Sequence, residues 1–168
     1  MPVAGAILEV ATIMSATRTP TVPQAWISFL HAHATITREL NADLVNAHGL
    51  TLNDYEVLLR LAQAPERRLR RVDLAERVLL TASGITRLLE GIERHGFVRK
   101  AFCSSDGRVV YAELTDEGYE KLRAASRTHL DGIDRLYAGR FDAGELDSLA
   151  ELLGRLTGST DGEACAVD

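Results

Sequence analysis

Apolar residues recur at helical spacing along most of the chain, and residues that start or stop helices stand at the edges of each stretch. The first predicted helix covers Gln24–His48 and ends at Gly49, a residue suited to the left-handed position that follows a helix. The second begins at Thr51, where Thr-Leu-Asn-Asp has the form of a capping box, and Pro65 stops it.

Two further amphipathic helices follow at the spacing of a helix-turn-helix. The first is short, with its apolar face at Leu74, Ala75 and Val78, and a three-residue connection leads to Thr81, which can cap the next helix. That second helix covers residues 82–95, and its inward side chains are Ile85, Leu88, Leu89 and Ile92.

A β-hairpin is predicted directly after this motif. Phe97–Cys103 and Val109–Leu114 have the composition of two short strands, and Asp106-Gly107 between them is a turn sequence. A hairpin directly behind a helix-turn-helix is a wing.

Two more helices complete the chain, one capped by Thr115 and one that begins at Asp142. Their apolar stripes, and that of the first helix, are wider than one protomer needs, which favours a homodimer. The predicted fold is therefore mainly α with a small β-wing: a winged helix-turn-helix core flanked by long N- and C-terminal dimerisation helices.

The predicted organisation has five parts: a flexible N-terminal arm at 1–22, a dimerisation helix at 23–49, a DNA-binding domain at 50–114, dimerisation helices at 115–158 and a flexible tail at 159–168. Met1 and Met14 both stay open as the start of the protein. The apolar run Ala4–Met14 is too short to span a bilayer and lacks a basic leader, so we expect a cytoplasmic protein without membrane contact.

Charge is unevenly distributed along the chain. Apolar residues make up 46% of it and charged residues 26%, as in an ordinary globular domain, and the net charge is −5. Residues 66–108 nevertheless hold ten Lys or Arg against six Asp or Glu. A basic segment that coincides with the motif and its wing indicates a phosphate-facing surface, with a solvated charged face as the alternative.

The second helix of the motif has a polar face suited to reading bases. Ser83 and Thr86 offer short hydroxyl side chains, and Arg87 can bond guanine O6 and N7 together. At the wing, we expect Asp106 to orient the hairpin while Arg108 enters the minor groove, and neighbouring arginines to hold phosphates. The residues predicted to contact DNA are Arg70, Arg71, Thr81, Ser83, Thr86, Arg87, Arg94, Arg99, Asp106 and Arg108.

The chain resembles the multiple-antibiotic-resistance regulator (MarR) family. The matching segments, in the family's order and spacing, are Val72–Arg77, Ser83–Glu90, Glu93–Lys100, the Asp106-Gly107-Arg108 wing and Leu114–Gly118. The resemblance implies a ligand-responsive homodimer, usually a repressor, on a pseudo-palindromic double-stranded operator. It places the recognition helix in the major groove and the wing in the minor groove, and implies release by a small aromatic or anionic effector.

One subgroup of the family that senses urate-like anions suggests where an effector binds. Its pattern has a tryptophan in the first helix, an acid near the second and arginines in and just after the recognition helix. The matching positions are Trp26, Asp54 or Glu56, Arg87 and Arg99. The alternative assigns Trp26 to helix packing and Arg87 to DNA alone.

The sequence gives less support to three rival functions. A zinc-responsive regulator of the same fold would use His31, His33 or His48, but the first two lie about 200° apart around a helix, so no metal or cofactor is predicted. Cys103 and Cys165 do not form the pattern of a redox sensor or disulfide framework. No catalytic motif is present, so an enzyme is not expected, whereas a winged-helix protein-interaction module without DNA binding stays open.

Overall fold

The computed structural model describes residues 21–78, 80–102 and 109–157, with the side chain of Ala82 left aside. The chain divides into two compact units, Met1–Arg38 and Glu39–Asp168, and the boundary falls within the first helix. The predicted tail, and all but the end of the predicted arm, lie outside the described residues. In the described part of the chain, no helix is long and apolar enough to cross a membrane.

Helix α1 spans Val22–His48, so it begins just before the predicted start. In the first unit, the ring of Trp26 stacks on Phe29 with 6.1 Å between centroids, and Trp26 is 58% exposed. The predicted end is confirmed, because Gly49 follows the helix with a φ of 66°.

Helix α2 spans Leu52–Gln63 and begins with the predicted capping box. The backbone N–H of Thr51 donates to the Asp54 carboxylate at 2.8 Å, and the N–H of Asp54 donates back to the Thr51 hydroxyl at 3.1 Å. The helix ends before Pro65, which starts a 3-10 turn at Pro65–Arg67. Both predicted boundaries are confirmed.

Helices α3, Arg71–Arg77, and α4, Ala82–Arg94, form the helix-turn-helix. Thr81 caps α4 as predicted, since its hydroxyl accepts from the N–H of Gly84 at 3.1 Å. After α4, Gly96 has a φ of 76° and turns the chain into the wing.

The sheet has one strand more than predicted. Strands β2, Val98–Phe102, and β3, Val110–Leu114, form the expected antiparallel hairpin. Strand β1, Arg68–Arg70, pairs antiparallel with the other side of β3, which gives the order β1-β3-β2. The prediction missed β1 because three residues, two of them arginine, carry no readable strand pattern.

The turn before β1 has an unusual backbone. Glu66 and Arg67 adopt φ values of 53° and 52°, in the left-handed region that residues other than glycine seldom enter. Arg67 is held there by an ion pair of 3.1 Å to Asp116 and by the ring of Tyr119, which lies 4.1 Å below its guanidinium carbon. The two contacts join the turn to the helix that begins at Asp116.

Helices α5, Asp116–Tyr137, and α6, Ala143–Thr157, end the described chain. Helix α5 packs on α2 in the core of the second unit. Leu130 of α5 is 46% exposed. Helix α6 has no buried residue. The largest fully buried side chains of the second unit are Leu44, Val57, Leu58, Leu61, Leu74, Ile85, Leu89 and Leu122.

Candidate nucleic-acid interface

The recognition helix α4 has two faces of opposite character. Ile85, Leu89 and Ile92 are at most 2% exposed and pack into the core. The other face leaves Ser83 and Arg87 exposed to solvent near the start of the helix. Because the apolar face holds the helix to the body, the polar face is presented as a rigid surface.

The helix start combines capping with small polar side chains. The Thr81 and Ser83 hydroxyls lie 3.2 Å apart, and Thr81 also accepts the capping bond from Gly84. A Cβ at Gly84 would lie 3.2 Å from the Thr81 hydroxyl oxygen, so this turn has little room for a larger residue. The Thr81 hydroxyl is therefore committed to the helix cap, whereas Ser83 is exposed at the surface. Thr86 is half-buried.

A groove with a volume of about 680 Å³ runs beside this face, lined by Arg87, Glu90, Glu93 and Arg94. Glu93 forms an ion pair of 3.2 Å with Lys100 on β2, and Arg94 donates to the backbone carbonyl of Glu90 at 3.2 Å. Among the described residues, Arg87 has no ion pair or hydrogen bond, so its guanidinium is available to an incoming acceptor.

Other predicted DNA contacts have partners within the chain. Arg70 is held by Asp73 through two hydrogen bonds of 2.7 and 2.8 Å, and Arg99 is held by Glu113 at 2.5 Å. In each case the hydrogen bond and the negative charge of the carboxylate raise the pKa of the guanidinium above its usual range. Both cations are exposed, so they stay within reach of DNA.

Arg71, at the first position of α3, is placed differently from its neighbour. Its Nε and Nη2 atoms are shielded from solvent and have no hydrogen-bond partner within the described part of the chain. A buried guanidinium edge without hydrogen-bond partners is costly. Asp106 and Arg108, predicted for the wing, lie outside the described residues.

The residues suggested for an effector are not joined to one another by bonds. The carboxylate of Asp54 belongs to the cap of α2, Glu56 pairs with Arg60 at 2.8 Å, and Arg99 pairs with Glu113. Trp26 belongs to the first unit. Within the described ranges, no three His, Cys, Asp or Glu side chains come close enough together to hold a metal ion.

The prediction from sequence missed the carboxylates that hold these cations. No cation partner was predicted for Asp73, Glu93 or Glu113. A signal existed for Asp73, because Arg70 and Asp73 stand three positions apart at a helix start, where such pairs meet. Glu113 faces Arg99 across the hairpin, which requires the strand register.

Comparison with known proteins identifies the family of this fold. A family model described as MarR family matches residues 48–109. The structure of Sco3205, a MarR family transcriptional regulator from Streptomyces coelicolor in complex with DNA, is similar with a TM-score of 0.75 and 32% identity, covering 90% of this chain and 97% of that one. The chain belongs to the MarR family.

Two other transcriptional regulators are also similar to this chain. The S. coelicolor regulator AbsC is 30% identical with a TM-score of 0.74, over 84% of this chain and 97% of that one. The transcriptional repressor YetL of Bacillus subtilis is 33% identical over 108 residues. That alignment covers 64% of this chain and 64% of the repressor, so the chain spans less than two thirds of that curated relative. The predicted winged helix-turn-helix fold is confirmed.

Proposed function

We propose that this MarR-family protein is a transcriptional repressor that binds a pseudo-palindromic operator as a homodimer. The observation that carries the proposal is the recognition helix, whose buried apolar face leaves Ser83 and the unpaired Arg87 exposed at its start. Short hydroxyl side chains and an arginine fork are the groups that read bases in a major groove. A relative with the same fold, Sco3205, has its structure in complex with DNA, and YetL is a repressor.

Exposed apolar side chains support the homodimer. On α6, Leu152 is 55% and Leu156 is 76% exposed, although this helix is amphipathic. In the first unit, Trp26 and Leu30 are 58% and 41% exposed. Apolar stripes of this size are unfavourable in water and are satisfied by a partner surface, here a second copy of the chain. Two recognition helices about one DNA turn apart, ~34 to 36 Å, follow from two-fold symmetry.

The remaining parts of the proposal come from the family resemblance. The wing carries Arg108 into the minor groove, and a small aromatic or anionic effector releases the complex, with Trp26, Asp54, Arg87 and Arg99 as its candidate contacts. The protein acts as a regulator and not as an enzyme, in the cytoplasm, where the operator is.

The experiment is a titration of the purified protein with the intergenic DNA beside its own gene, against a random duplex of equal length, over a series of salt concentrations. We expect selective binding whose log affinity falls steeply with log salt. Arg123→Ala is a control for the loss of one positive charge and should bind both duplexes as the wild type does, because Arg123 is an exposed arginine on α5 paired with Glu120, outside the predicted DNA contacts. Equal, weak binding to both duplexes would contradict the proposal and favour the protein-interaction module.

A further inference from the structure

The register of the sheet separates the arginines by their distance from the wing tip. Arg70 on β1 lies opposite Tyr111, one position from Val110, where β3 leaves the hairpin connection. Arg68 and Arg99 both lie opposite Glu113, two positions further along β3, which is about 7 Å from the row of Arg70. Arg70 is therefore the arginine at the wing end of the sheet, and the next residue begins the helix-turn-helix.

Arg70 reaches this position with its guanidinium held in one orientation. Its Nε donates to Asp73 Oδ2 at 2.7 Å and its Nη2 donates to Oδ1 at 2.8 Å. Both bonds use the same edge of the fork, so Nη1 is left without a hydrogen-bond partner in the described structure. Asp73 is fixed in turn, because it lies in the first turn of α3. The pair therefore fixes the orientation of the guanidinium and leaves both N–H groups of Nη1 free to donate.

The ion pair between Arg70 and Asp73 contributes little to the stability of the fold. The Arg70 side chain is 51% exposed and that of Asp73 is 33% exposed. Exposed ion pairs contribute almost nothing to folding, because water solvates the separated charges nearly as well. Orienting an arginine in advance has a clear effect on binding, since the long side chain loses its rotamer freedom before the ligand arrives.

We propose that Asp73 is a positioning residue, which holds the Arg70 guanidinium so that its free Nη1 meets a phosphate of bound DNA beside the wing. The inference rests on the proposed function, because it requires DNA at this face. It assigns Asp73 a part in binding although its own charge repels phosphate.

The direction in which Asp73→Asn changes the affinity for DNA distinguishes this proposal from the opposite one, in which Asp73 competes with DNA for Arg70. If Asp73 orients Arg70, then Asp73→Asn weakens binding to the operator and to random DNA alike, by about three- to tenfold, the range expected from freeing one long side chain. If Asp73 merely competes with phosphate for Arg70, the same change tightens binding to both duplexes, and the proposal is overturned.

A double-mutant cycle tests whether Asp73 acts through Arg70. Arg70→Ala should weaken both duplexes and reduce the slope of log affinity against log salt by about 0.9, as expected for one lost phosphate contact. Asp73→Asn should keep that slope, since Arg70 still reaches phosphate, and should cost nothing further in the Arg70→Ala background. A full effect in that background would overturn the proposal.

Two further variants distinguish a specific effect on DNA binding from a general folding defect. Glu120→Gln removes the partner of Arg123, an exposed arginine of α5 outside the predicted DNA contacts, and should change binding less than twofold. Arg70→Lys keeps the charge of Arg70 and the fold but loses the two-bond geometry, so it should reproduce the weakening and the unchanged slope of Asp73→Asn. If Arg70→Lys binds DNA with wild-type affinity, the role inferred for Asp73 is overturned and the proposed function stands. If the wild-type protein does not bind DNA, both the inference and the proposed function are overturned.

Discussion

The rings of Tyr55 and His129 lie 4.5 Å apart between centroids and join α2 to α5. The hydroxyl of Tyr55 donates to Ser126 at 3.4 Å, and Ser126 donates to the backbone carbonyl of Leu122. The Nδ1 atom of His129 is buried without a hydrogen-bond partner among the described residues. A histidine in this position is favoured as the neutral ring, because no acceptor meets the second proton of the charged form.

This contact predicts that the protein loses stability in mild acid. Burial lowers the pKa of His129, although the charge of Glu56 acts in the opposite direction. The folded state thus takes up the proton less readily than the unfolded state, whose pKa is about 6.5. The free energy of unfolding should be insensitive to this group above that value, and should fall as the pH drops below it.

Urea denaturation at several pH values between 5 and 8 measures the effect. His129→Gln should reduce the pH dependence, and His31→Gln, at an exposed position of α1, should leave it as in the wild type. His48 has a pKa lowered by burial and by the charge of Lys121, so it contributes in the same direction and is tested by its own variant. Identical pH profiles for the wild type and the His129 variant would refute the interpretation.

A second prediction concerns the close approach of α5 to the start of the wing. A Cβ on Gly118 would overlap the backbone carbonyl oxygen of Phe97 and would lie 2.8 Å from the Leu114 side chain. Backbone cannot move aside as a flexible side chain can, so Gly118→Ala should destabilise the fold by about 1 to 3 kcal/mol. Thermal melting followed by circular dichroism measures this change.

Gly91 provides the matched control for Gly118. A Cβ added at Gly91 meets nothing within 4 Å, although this residue is also in a helix. Gly91→Ala should therefore raise the stability, by up to about 1 kcal/mol, because alanine is the better helix former. If both alanine variants melt at the same temperature, the close approach at Gly118 does not affect the stability of the fold.

A third prediction tests the apolar face of α6. Leu152→Glu should shift the protein from dimer to monomer in analytical ultracentrifugation, because a charge replaces an apolar side chain at the proposed interface. Ala150→Glu places the same charge about 200° around the same helix and should leave the dimer intact. A dimer that survives both changes would locate the interface elsewhere.

A fourth prediction separates base reading from phosphate contact. Arg87→Ala should cost about 1 to 3 kcal/mol on the operator and relax its base preference, whereas Arg70→Ala should weaken all sequences alike. Arg108→Ala should lower operator affinity through the wing. Competition binding with operator variants measures these preferences, and equal losses on operator and random DNA for both Arg87 and Arg70 variants would remove the distinction.

The sequence by itself determined the helices and the helix-turn-helix. The caps at Thr51, Thr81 and Thr115 and the left-handed conformation of Gly49 are confirmed. Each depends on residues within about four positions, because capping bonds and backbone sterics act over one helical turn. The family resemblance could be recognised from the sequence for the same reason, because each of its motifs is a short run of consecutive residues.

Only the tertiary structure decided which charges meet. Arg67 finds Asp116 49 positions later, and Arg99 finds Glu113 through the hairpin register. Strand β1 exists because β3 supplies its hydrogen bonds, not because Arg68–Arg70 favours a strand. Composition counts a cation equally whether it is free like Arg87 or held like Arg99. The difference depends on distances of a few ångströms between elements, and these are fixed only when the core packs.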